Sequence, residues 1–177
     1  MITMMIGDLM KILYMHANKV RVEAGPVGRT PSARRKNERK LRRKFGDLLP
    51  ALDTTNSIVS SENALVALIH IESNDEALDL GRIKNDVFRS RALIGAANIV
   101  ISAFGHLDGN SACPALAKEI INRLVETIVV SHPDTREVPF GWDKSLDISV
   151  PRHHYNIAFR SFKPTFGERI SYYLKSL

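Results

Sequence analysis

A chain of 177 residues that is 44% hydrophobic and 25% charged is long enough to bury one real core and too apolar for wholesale disorder. Its single cysteine, Cys113, excludes an intramolecular disulfide and a cysteine-rich zinc site, and fits a reducing, cytoplasmic setting. Net charge is +6, but nine basic residues against one acid between Arg29 and Lys44 make that strap +8 and leave −2 elsewhere, so a near-neutral domain carries a strap that either contacts a polyanion or is a solvated, mobile insertion.

The opening residues 1–9 lack the basic start and apolar length of a signal peptide and read as a leader. No apolar run reaches the length of a membrane span, so no membrane partner is expected. Met10 to His16 is a β-type run that Ala17 and Asn18 end, which puts His16 at the end of a strand, facing core or cleft. Val20 to Glu23 could continue as a second strand before Gly25, Pro26 and Gly28 break the pattern.

Ser32 to Phe45 has good helix formers and almost no apolar face, so a helix there is expected to be stabilised by what it binds. Asp53 to Ser61 reads as a loop, and Ala64 to Glu72 as a central strand. Ser73, Asn74 and Asp75 cap a helix running to about Ala97, with Ile83, Val87, Leu93, Ile94 and Ala97 on its inner face. Asn98 to Phe104 is a third strand, closed by Gly105, His106, Leu107, Asp108 and Gly109, where free backbone amides and a glycine allow a ligand to approach. Ser111 and Pro114 start a helix whose Leu116, Ile120, Leu124 and Ile128 face the sheet.

Val138 to Ser149 carries the sharpest chemistry. Pro139, Phe140, Gly141 and Trp142 make a tight corner that delivers Lys144, beside Asp143, to the lip of a strand from Ser145 to Val150. His154 to Phe159 returns as a further strand. The adjacent His153 and His154 point to opposite faces of such a strand and lack a carboxylate-rich partner motif, so no metal site is expected. Residues 163–177 read as a tail or linker. The organisation is thus a leader 1–9, a domain 10–162 with the basic insertion 29–44, and the tail.

Three segments in register, MKILYMHAN, NIVISAFGHL and VPFGWDKSLDIS, resemble the editing domain at the N-terminus of archaeal threonyl-tRNA synthetases. The resemblance runs from Met10 to about Phe162 and is poor from Arg21 to Asn63. It implies an α/β chain with a D-aminoacyl-tRNA deacylase-like fold, mixed sheets with helices packed on one side, and a homodimer. It also implies hydrolysis of serine wrongly esterified to threonine tRNA, without a cofactor. Partners would be tRNA(Thr) with its aminoacylated 3′ end and the catalytic and anticodon-binding domains of the synthetase.

By the same resemblance Lys144 and His106 take the catalytic positions. Gly105 positions water, Ile71 is a pocket wall, and Trp142 falls on an aromatic position; Phe104, Phe140, Gly141, Asp143 and His16 complete the substrate site. Arg34, Arg35, Lys36, Arg39, Lys40, Arg42 and Arg43 would track tRNA phosphates. Two positions depart from the family: Asp143 stands where it has tyrosine, and Ile157 where an acid is expected near the substrate's amino group. Asp143 could receive that ammonium or pair with Lys144. A D-aminoacyl-tRNA deacylase and a non-catalytic tRNA-binding module are the alternative functions.

Overall fold

One long strand organises the sheet. The computed structural model describes residues 10–73, 75–107, 109–165, 167, 168 and 171; the leader lies outside them. Strand β1 (Met10–Ala24) pairs antiparallel with β2 (Ile58–His70) along one side. Its other side takes β6 (Ile157–Phe162) on the first half and β5 (Lys144–Ser149) on the second. Strands β3 (Asn98–Ala103) and β4 (Arg136–Glu137) extend the sheet beyond β2 in parallel, giving the order β4-β3-β2-β1-β5. Parallel neighbours need crossovers. Helix α2 (Leu80–Ile94) supplies the first and α3 (Pro114–Val129) the second.

Both crossover helices cover the same face. Ile83 and Val87 of α2, with Ile120, Ile121, Leu124 and Ile128 of α3, bury against Ile12, Tyr14, Leu65, Ile99 and Ile101. The four-residue ladder read from the sequence is the inner stripe of α3, and Pro114 opens that helix. The other face folds onto itself. Ile101, Ala67 and Tyr14 form one row across β3, β2 and β1, while Lys144 pairs with Ala24 much further along β1. On a flat sheet, Val138 beside Ile101 would stand about 38 Å from Lys144, at roughly 3.3 Å per residue and 4.8 Å per strand. The chain between them reaches only about 21 Å, so the sheet must coil. Inside the coil, Ala17, Val20, Val66, Leu68, Val100 and Val138 form a second buried cluster.

The mixed sheet with helices on one side is as expected, and the element boundaries differ for identifiable reasons. β1 continues through Ala17 and Asn18 because β2 pairs with it on both sides of that point. Only the Asn18–Asn63 pair drops out of the ladder, and there Asn63 adopts φ 43°, a left-handed conformation that asparagine tolerates. The buried positions shift phase at the same place, from Met10, Ile12 and Tyr14 to Ala17 and then Val20, which hid the continuous strand from a period-two reading. β2 accordingly starts at Ile58, inside the expected loop, and β6 starts at Ile157, leaving His153 to Asn156 as the turn before it.

Asp79 rather than Ser73 to Asp75 caps α2, accepting from the Gly81 amide at 2.8 Å. Asp75 is instead drawn inward, where it accepts from the Glu72 amide at 2.7 Å. Leu93 is 56% exposed and does not belong to the core. Among the described residues no helix is long and apolar enough to cross a membrane.

Candidate functional site

The corner before β5 is built as the sequence requires. The Val138 amide donates to the Ile101 carbonyl at 2.8 Å, so the chain leaves the sheet beside β3. Gly141 then turns it with φ 79°, close to the value of the third residue of a type II turn. It is this conformation that selects glycine; a Cβ at Gly141 would in addition stand 2.9 Å from Leu49 Cδ1, the movable end of a side chain. Phe140 and Trp142 are each 5% exposed, and the Trp142 indole donates to the Pro50 carbonyl at 2.9 Å.

Lys144 is the first residue of β5. Its Nζ donates to the Trp142 carbonyl at 3.1 Å. Burial pushes its pKa down to about 8, against the opposing pull of the Asp143 and Glu137 carboxylates. Neither carboxylate clasps it: among the described residues Lys144 has no ion pair within 4 Å, and Glu137 is held by Lys118 at 3.2 Å. An ammonium carries three N–H donors, and Trp142 is the acceptor of one. The remaining donors can stabilise a developing negative charge. Asp143 Oδ2 is buried without a hydrogen-bond partner among the described residues, a carboxylate oxygen with capacity for a cation.

The basic strap forms α1 (Pro31–Phe45), and it is fastened to this corner. Leu41 is buried with Trp142, Ala24 and Leu49, and Phe45 packs against the same group. Phe45 meets Phe140 edge to face at 5.8 Å, and the Arg42 guanidinium lies 5.9 Å from the Trp142 ring centre. The expectation that this helix has almost no apolar face and is held by what it binds is therefore corrected: Leu41 and Phe45, one turn apart, form a narrow face that packs on the corner, and Leu49 beyond the helix end joins the same cluster. Leu41→Ala should cost the α1 dock about 2 kcal/mol. Amide exchange of α1 would speed up about 30-fold while the β2 and β3 amides keep their protection.

The second site-like segment follows β3. Phe104 donates its amide to Ile69 and Ala112 to Ile71, both at 2.8 Å, so the chain between them stands off the end of the sheet. Gly105 and His106 are exposed, and the imidazole meets Phe104 edge to face at 5.6 Å. Phe104 packs on the cluster that contains Val138, and β3 and β4 run parallel, so this loop and the Phe140 corner leave the sheet at the same end. Ile71 is 5% exposed and belongs to the helix-side core.

His16 is not gathered with Lys144. It lies within β1, and its Nε2 donates to Asn63 Oδ1 at 3.0 Å. Its Nδ1 then accepts from His153 Nε2 at 2.7 Å, and His153 Nδ1 accepts from the Tyr155 amide at 3.2 Å. Each ring nitrogen is used, as in a hydrogen-bonded structural histidine. His153 thus lies in a turn, as its sequence placed it; His154, expected on the strand, lies in the same turn, because β6 begins only at Ile157. A cavity of about 600 Å³ between Lys19, Arg21, Ser60, Glu62, Arg136 and Asp147 contains none of the expected site residues. Sequence reasoning missed Glu137 and Lys118 near the lysine and the α1 dock beneath it; the Leu41–Phe45–Leu49 spacing was the signal for the dock.

A family model described as the archaea-specific editing domain of threonyl-tRNA synthetase matches residues 10–162. The threonine–tRNA ligase of Pyrobaculum calidifontis is 32% identical over 120 residues, which cover 65% of this chain and 20% of that protein. The threonine–tRNA ligase of Thermofilum pendens is 32% identical over 130 residues, 68% of this chain and 21% of that protein. The chain therefore spans about a fifth of the length of these relatives. Among solved structures, the c-Myc DNA Unwinding Element Binding Protein shares the fold with a TM-score of 0.57 at 9% identity, covering 86% of this chain and 97% of that one.

Proposed function

The chain belongs to the archaea-specific family of threonyl-tRNA synthetase editing domains, and from that premise we propose that it hydrolyses the seryl ester of mischarged tRNA(Thr). The observation that carries this reading is Lys144, a desolvated ammonium with donors to spare, held behind the Phe140–Trp142 corner, which leaves the sheet at the same end as the Phe104–His106 loop. In the proposed reaction a water oxygen bonds to the ester carbonyl carbon, and negative charge gathers on the carbonyl oxygen. Lys144 donates to that oxyanion. The carbonyl then re-forms, the bond to the ribose oxygen breaks, and that oxygen leaves with the proton the attacking water gave up, relayed through the neighbouring ribose hydroxyl of the tRNA. The reaction so written uses no cofactor.

Other groups take supporting places. His106, exposed and edge-on to Phe104, offers a ring against the terminal adenosine, and the backbone at Gly105 positions the water, assisted by a ribose hydroxyl of the tRNA. Asp143 receives the substrate's α-ammonium through its unpartnered Oδ2, replacing the acid that Ile157 does not supply. Ile157 is 53% exposed at the start of β6, and with Tyr155 and Phe159, 58% and 53% exposed, it provides an apolar surface for the homodimer. The partner tRNA would be presented within the longer synthetase.

A pocket made for threonine cannot exclude serine, which lacks one methyl group, and this creates the need for a second sieve. Deacylation of seryl-tRNA(Thr) and threonyl-tRNA(Thr), measured side by side, tests the reading. The seryl ester should be cleared faster by roughly 10- to 200-fold, the range one methylene gives a close-fitting pocket. Equal rates, or preference for a D-aminoacyl ester over its L counterpart, would sink it. Binding of tRNA without hydrolysis would assign the chain to a non-catalytic module instead.

A further inference from the structure

Helix α1 has two unlike faces. Thr30 caps it by accepting from the Ala33 amide at 3.2 Å, and Pro31 opens its first turn. One face is consumed by the protein: Leu41 and Phe45 sit on Trp142 and Phe140, Asn37 accepts from the Val27 amide at 3.2 Å, and Arg34 Nε donates to the Gly28 carbonyl at 3.0 Å. Arg42 is held by Glu38 at 2.8 Å, which also neutralises the strap's only acid. Arg29 precedes the helix and Lys44 lies over the Phe45 ring at 5.0 Å; Arg35, Lys36, Arg39, Lys40 and Arg43 remain, all exposed and, among the described residues, without a hydrogen bond or ion pair. At about 100° per residue they fill one outward arc of roughly 140°, and from Arg35 to Arg43 they extend about 12 Å along the axis.

We propose that this arc is a docking surface for the phosphate backbone of an RNA duplex, read by charge and not by base sequence, and built onto the same corner that holds Lys144. That the duplex is the acceptor stem of a tRNA rests on the function proposed above. The chemistry favours nucleic acid over a membrane. A helix lying on lipid must insert an apolar face, and the apolar face of α1 is already buried on Trp142. A base-reading role also lacks its tools, since the arc contains no asparagine, glutamine or aromatic residue. Five unopposed cations on one rigid face suit the dense charge of a duplex. Because Leu41 and Phe45 join the arc to the Phe140–Trp142 corner, docking there fixes the distance between the bound backbone and Lys144.

The test is binding of uncharged tRNA(Thr) to the full chain by fluorescence anisotropy between about 50 and 200 mM salt. No ester is present, so the result stands whether or not Lys144 hydrolyses one. Log K should fall linearly with log salt. The triple variant Arg35→Gln, Arg39→Gln, Arg43→Gln should bind at least tenfold more weakly at the low-salt end and show a slope shallower by roughly two to three, since each phosphate contact contributes about 0.7 to 0.9. Arg89→Gln, an exposed charge on α2, should behave like the parent. These side chains point away from the core, so circular dichroism should be unchanged. A triple variant with the parent's slope and affinity overturns the proposal. So does loss of binding to vesicles of phosphatidylserine and phosphatidylcholine with tRNA binding intact.

Discussion

Lys144→Ala should lower the rate of seryl-tRNA hydrolysis by about 10²- to 10³-fold, the cost of removing one donor to an oxyanion, without loss of stability at pH 7. The second half follows from where the charge sits. Burial has pushed the lysine's pKa from 10.5 down to about 8, so folding disfavours its charged form. Below about 8 the ammonium is present in folded and unfolded chains alike and its desolvation opposes folding. Between about 8 and 10.5 the folded protein gives up the proton first, and stability rises with pH across that window. Lys144→Met, which keeps the apolar stem, should therefore melt no lower than the parent at pH 7. The same value sets the pH profile of hydrolysis. An ammonium donor requires kcat/KM, corrected for spontaneous ester loss, to fall as pH rises through about 8. A rate that instead rises to a plateau above 8 would make the neutral amine a general base. A Lys144→Ala protein as active as the parent would remove the lysine from the mechanism.

The corner holding Lys144 was legible because every part of it is local. Pro139 and Gly141 constrain torsions, Phe140 and Trp142 need cover, and the alternation after Lys144 announces a strand. The spacing of Leu116, Ile120, Leu124 and Ile128 marked α3 in the same way. What escaped depends on residues distant in sequence. Asn18 is a turn former by itself and a strand residue only because β2 and β5 pair with the second half of β1. Glu137 looks like an ordinary acid until the coiling of the sheet brings it within electrostatic reach of Lys144. Trp142 suggested a site aromatic, yet its ring also covers Leu41, a residue a hundred positions earlier in an insertion read as contacting a polyanion or solvated, not as packed on the domain. His16 shows the converse error. Its neighbours in sequence placed it at a strand end, and its partners Asn63 and His153 hold it within the strand as part of the framework.

Asp75 gives the largest expected effect on stability, for the same reason as Lys144, burial of an ionisable group, but with the opposite pH dependence. Its side chain is 1% exposed, and burial, reinforced by the Glu72 carboxylate, raises its pKa from 3.8 to about 7, although the Glu72 and Met10 amides and Lys11 favour the ion. A raised carboxyl pKa means that the folded state prefers the neutral acid. The stability this provides is complete below pH 3.8, declines as pH rises, and is gone above about 7. At about 1.4 kcal/mol per pH unit the full loss is about 4 kcal/mol, several degrees or more in Tm for a chain of this length. Asp75→Asn keeps a carbonyl oxygen for the Glu72 amide and removes the charge. Its stability should therefore match the parent below about pH 3.8, exceed it by a few kcal/mol at pH 8, and show a flatter profile between them. Urea unfolding at a series of pH values measures this directly. Parallel pH profiles for the two proteins would mean that Asp75 is ionised in the fold at neutral pH at no cost. The Glu72 amide would then be its principal support, tying the residue to the chain just beyond the end of β2.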